Sequence, residues 1–155
     1  MSYNIYLVHV PGRSIDGLQT ASLTRTGRSL VLEEAMSAEF QGIAAVEGEG
    51  GTTLIAGPEF IGMEEQLHDT LRTEVVAALF GGVSDVYGWS VLAPGVQRQL
   101  VHFAGEVVKE IGNPVLEEDG LTGLDEDALF DLFEQRTGVR PGEWDLSREA
   151  VLLTL

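Results

Sequence analysis

The stretch VYGWSVLAPGVQRQLVHFAGEVVKEI, residues 86–111, holds three β-rich runs, Val86–Ala93, Val96–Phe103 and Val107–Ile111. Pro94–Gly95 and Ala104–Gly105 punctuate them at hairpin spacing, which predicts a three-stranded antiparallel meander. Alternation along the middle run places Arg98, Leu100 and His102 on one face and Gln97, Gln99, Val101 and Phe103 on the other. Tyr87 and Trp89 share a face of the first run, with Arg98 available on the neighbouring strand. Aromatic and arginine side chains grouped this way are enriched at interface hot spots, so the three are candidates for partner contact.

Working outward, Met63, Leu67, Leu71, Val75 and Leu79 recur every four residues, with Val76 and Phe80 alongside. That spacing predicts an amphipathic helix over about residues 62–80, stopped by Gly81–Gly82. On the other side, Asn113 before Pro114 is biased away from helix. Asp125 then caps a second helix, residues 125–137, with Glu126 and Asp127 in its first turn and Leu129, Leu132 and Phe133 on its inner edge. Ser2–Val10 is apolar on both faces and reads as a central strand. Residues 13–29 are polar and read as a loop with one short element, and 29–36 is ambiguous between a strand and a helix start. Gly42–Glu47 and Thr52–Ala56 form a hairpin around a glycine-rich turn, and Glu149–Leu155 is a final strand. The expectation is a single α+β domain over residues 1–155. Its sheet is mostly antiparallel, with the 86–111 meander packed by the two helices, 62–80 and 125–137.

Composition limits the chemistry. The chain lacks cysteine, which excludes disulfides, thiolate metal sites and a cysteine nucleophile. Of its nine basic residues only Lys109 is lysine, and neither a G-x-G-x-x-G nor a Walker pattern occurs, so P-loop nucleotide hydrolysis is not expected. GWSVL starts like a hydrolase nucleophile elbow, but Leu92 stands where the second glycine belongs, so Ser90 reads as an ordinary strand residue. His9, His68 and His102 show no H-x-H or H-x-x-x-H spacing, and no metal or cofactor is expected. An EF-hand register ending at Glu126 puts Val115 at the first ligand position, where its side chain has no oxygen to offer. No catalytic residue is nominated. No apolar run approaches the roughly 18–20 residues that span a bilayer, and the first residues lack a basic signal-peptide region, so a cytoplasmic protein is expected.

Charge points to the partner. The formal net charge is −16, and residues 106–155 contribute −9 of it, with 13 acids against 4 bases. Such a field repels nucleic acid and anionic membranes and steers basic proteins inward. Glu117, Glu118, Asp119, Asp125, Glu126, Asp127 and Asp131 fall within fifteen positions with no basic residue between them. They are the candidate docking surface for a basic protein.

Residues 50–140 resemble small acidic bacterial proteins of unknown function. The resemblance rests on an aromatic strand with Trp89, Arg98 soon after the turn, and then Gly112, Pro114 and Glu117. Val115 before Leu116 departs from that pattern. Some of those proteins look like immunity partners of toxins, which implies a non-catalytic, antitoxin-like protein neutralising a basic toxin such as a nuclease. The alternative is a small-molecule or regulatory binding module, with a pocket between the meander and the 62–80 helix. A hydrolytic enzyme ranks below both.

Overall fold

The computed structural model describes residues 3–155, and one nine-stranded sheet organises them. The strands are β1 (Asn4–Pro11), β2 (Thr24–Val31), β3 (Ile43–Gly48), β4 (Gly51–Ala56), β5 (Val75–Gly81), β6 (Val86–Ala93), β7 (Val96–Phe103), β8 (Glu106–Ile111) and β9 (Glu149–Thr154). Their order is β2-β9-β3-β4-β1-β5-β6-β7-β8, and each neighbouring pair is antiparallel. The helices are α1 (Leu32–Ala35), α2 (Met63–Leu71) and α3 (Glu126–Thr137), joined by short 3-10 turns.

This overturns the expected architecture. The sheet is not a three-stranded meander packed by two main helices; β6, β7 and β8 form one wing of a much wider sheet. The helix expected over residues 62–80 ends at Leu71. Arg72 adopts a left-handed conformation (φ 56°) and donates its N–H to the His68 carbonyl at 2.9 Å, which closes the helix. Val75–Gly81 is strand β5, held between β1 and β6. Residues 13–29 hold more than the one short element expected in that loop. They contain a 3-10 turn, Asp16–Ala21, and most of edge strand β2, whose side chains are almost all exposed and so leave no hydrophobic alternation.

Strand β1 is central because both of its faces are apolar; Ser2, in the expected first strand, lies outside the described residues. Ile5 and Leu7 join one core layer with Trp89, Leu100 and the α3 residues Leu129 and Phe133. Tyr6, Val8 and Val10 join a second layer on the opposite face, with Leu18 and the α2 residues Met63, Leu67 and Leu71. A nine-residue helix is too short to be stable alone in water. Burying Leu67 and Leu71, at roughly 1.5–3 kcal/mol each, fixes it to the sheet. No helix among the described residues is long and apolar enough to cross a membrane.

Candidate functional site

The residues nominated for partner contact mostly serve the fold. Arg98 is only 2% exposed and is saturated with acceptors. Its Nε and one terminal nitrogen donate to the two Glu118 oxygens at 2.9 and 2.7 Å, and the other donates to Glu110 and to the Gly112 carbonyl, both at 2.9 Å. Glu118, equally buried, also accepts from the Val115 N–H at 3.0 Å, so the 112–118 loop is strapped to β7 through one guanidinium. Tyr87 and Trp89 share Arg98's sheet face, but that face is the core under α3, where Trp89 is 1% exposed.

The acids of the 117–131 segment are similarly engaged. Glu117 binds Arg136, which also holds Glu74, and Asp131 binds Arg140. Asp125 caps α3 by accepting from the Ala128 N–H at 2.9 Å, and Glu126 accepts from the Tyr3 N–H at 3.0 Å. Asp119 and Asp127 are exposed, and no hydrogen bond or ion pair of their side chains occurs among the described residues.

The histidines do not converge. His9 on β1 meets the Thr53 hydroxyl at 2.9 Å and packs edge-on to Phe133, and burial pushes it below its ordinary pKa. His102 on β7 accepts from the Leu124 N–H at 3.3 Å, with two strands lying between it and β1. The ring of His68 is bound to the Thr73 carbonyl. Among the described residues, no three His, Asp or Glu side chains are grouped so as to hold a metal ion.

A cleft lies on the α2 face instead, where the short helix leaves the β6–β8 wing uncovered. Its floor is Ala77 and Leu79 of β5, Gly88 and Ser90 of β6, Gln99 and Val101 of β7, and Lys109 of β8. Ile61, Gly62, Glu64 and Glu65 form the wall at the start of α2, with Tyr6 behind them. Alternation along adjacent strands brings these floor residues to one face, and register pairs Ala77 with Ser90 and Ser90 with Gln99. Gly88 keeps the floor low, since a Cβ there would press on Leu79 at 3.3 Å. The enclosed volume is about 150 Å³.

Two polar side chains in this mainly apolar hollow stand out. Glu64 is 7% exposed and Ser90 is 6% exposed, and neither Glu64 Oε2 nor Ser90 Oγ has a hydrogen-bond partner among the described residues. Each such buried group costs about 1–3 kcal/mol if left unmet, and native proteins keep few of them. Burial raises the Glu64 carboxyl above its ordinary pKa and the charge of Glu65 adds to this, while backbone N–H groups and Lys109 act against it. The Glu64 N–H donates to the Tyr6 hydroxyl at 3.3 Å, and Gln99 donates to Glu65 at 2.8 Å, closing the wall on either side. Lys109 stands exposed at the mouth and forms no ion pair among the described residues.

A second hollow, near His9 and the 48–51 turn, is larger at about 410 Å³, but its one buried ionisable group, His9, already has Thr53. The first cleft is therefore the better candidate. Sequence reasoning missed Glu64, although a signal was present. It sits three and seven positions before Leu67 and Leu71, on the apolar stripe of α2, where a solvated acid does not belong.

Compared with family models, curated proteins and solved structures, the chain matches none.

Proposed function

We propose that this is a non-catalytic binding protein that holds a small organic ligand in the cleft between α2 and strands β5–β8. The observation that carries this reading is the pair of unmet polar atoms, Glu64 Oε2 and Ser90 Oγ, in a mainly apolar hollow. Ligand sites have this composition, an apolar lining with a few polar groups that fix orientation. Catalysis fits less well. His9 and His102 lie on the opposite sheet face from Ser90, so neither can serve it as a base.

A volume near 150 Å³ takes a benzene-sized body. A panel of ring-sized fragments should raise the melting temperature of the protein. Saturation at about 100 times Kd adds about 2.7 kcal/mol, or roughly 5–10 °C for a chain of this size. Val101→Phe, which fills the floor from a half-buried position, should abolish the shift while leaving the unliganded fold intact. A panel without a binder, or binding indifferent to Val101→Phe, would overturn the reading.

The charge supports a second reading, an acidic antitoxin-like protein that neutralises a basic toxin. Among the described residues only 7 of the 25 carboxylates enter ion pairs, and most of the other 18 are exposed and can attract a cationic surface. Association with a basic nuclease should then slow by about tenfold or more between about 0.05 and 0.5 M salt, with dissociation changed less. An association rate independent of salt would refute steering.

A further inference from the structure

We infer that the ligand of the α2 cleft is an organic cation, a primary amine on a compact apolar body, with the Glu64 carboxylate as its counter-ion. This rests on the reading of the cleft as a ligand site and specifies the chemistry of what enters it. The polar groups at its inner end are biased toward acceptors. Glu64 Oε2 is acceptor-only when ionised, and the Ser90 hydroxyl carries two acceptor lone pairs beside its single proton. The Tyr6 hydroxyl, next in line, already accepts from the Glu64 N–H. An ammonium brings three donors and no acceptor, the complement of this set. An anion would face Glu64 and Glu65 at close range, inside a protein whose net charge is −16.

The groups that face Glu64 decide how binding responds to pH. Glu65 lies beside it on α2, Tyr6 approaches from β1, and Lys109 reaches the mouth from β8. Among the described residues Lys109 is the one cation lining the cleft, and it makes no ion pair with either glutamate. Burial favours the protonated carboxyl in the empty site, whereas an ammonium needs the carboxylate. Where the carboxyl is protonated, binding an ammonium releases that proton, so affinity should rise with pH through the ionisation of Glu64. The rise continues until the amine loses its own proton, near about pH 10 for an aliphatic amine.

The test compares benzylamine, benzyl alcohol and benzoate by calorimetric titration of the unmodified protein between about pH 5 and 8. Benzylamine should bind at least about tenfold more tightly than benzyl alcohol at the upper pH, as expected for a charge-assisted bond over a neutral one. Benzoate should not bind. Benzylamine should also bind progressively more tightly as pH rises, with proton release seen as a heat that depends on the buffer. Glu64→Gln keeps the shape and removes the charge. It should bring benzylamine down toward the level of benzyl alcohol and change the binding of benzyl alcohol far less. Equal, pH-independent binding of amine and alcohol overturns the cation assignment while the cleft remains a ligand site. Binding of none of the three, with Val101→Phe likewise without effect on any fragment, overturns the cleft itself. If Glu64→Gln fails to fold, the ligand series and its pH dependence on the unmodified protein decide alone.

Discussion

Arg98→Met should destabilise the protein by about 3–5 kcal/mol in urea unfolding, and lower its melting temperature by on the order of 10 °C. Among the described residues the guanidinium is the sole cation paired with Glu118, whose side chain is 4% exposed, so its removal strands a carboxylate in the interior. It also leaves the Gly112 carbonyl and one Glu110 oxygen without their donor. Lysine is a poor substitute, because one ammonium cannot reproduce the two parallel bonds to Glu118. Replacing both partners, Arg98→Met with Glu118→Leu, should recover part of the loss by removing the stranded charge. Recovery stays incomplete because Glu118 also receives the Val115 N–H. A loss below about 1 kcal/mol for Arg98→Met would place the pair among solvated surface bridges.

Gly51→Ala should be of comparable severity, at about 3 kcal/mol or more, from backbone strain and steric overlap together. Gly51 adopts φ 133°, a conformation open to glycine. A Cβ there would collide with the Val10 carbonyl oxygen and lie 2.8 Å from the Gly12 nitrogen and 2.9 Å from Pro11 Cα. All three are backbone atoms, and the β1–β4 register pairs Pro11 with Gly51, so neither strand can step aside. Gly57 provides the contrast. Its φ is −73°, and an added Cβ meets chiefly the Glu59 carboxylate, the far end of a flexible side chain. Gly57→Ala should cost under about 1 kcal/mol, and thermal melts of the two variants side by side check the difference. Equal melting temperatures would refute the argument from backbone collision.

Parts of this structure are legible in the sequence for clear physical reasons. Helix α3 is announced by a capping aspartate, acids in its first turn and Gly138 just beyond its end. The double apolar face of β1 marks it as interior. The error at residues 62–80 is equally physical. A spacing of four is close to one helical turn, but it is also an even number, so Val75 and Leu79 share a face in a strand as well. The run VVAALF, apolar on both faces and rich in β-branched residues at its start, was the better guide. Strand order was not legible at all. Hairpin spacing indicates that β6, β7 and β8 are neighbours, but no local pattern says that β9 enters between β2 and β3. At the site, Arg98 and Trp89 were noticed for their chemistry, which the fold spends on its interior. Glu64 passed as one acid among 25, since charge is informative only once burial is known.

The insertion of β9 sets an order of assembly. The hairpins β3–β4 and β5 through β8 close between neighbours in the chain, so they can form quickly and early. Strand β9 joins β2 and β3 to residues more than a hundred positions away, with Ile43 against Leu153 and Thr24 against Thr154. During synthesis, β3 therefore emerges long before the strand that covers its outer edge. That edge carries Ile43, Ala44, Ala45 and Val46, all of them buried in the finished fold. Until residues 149–154 arrive, it is an open template for the wrong strand, and the nascent chain is most vulnerable to aggregation there.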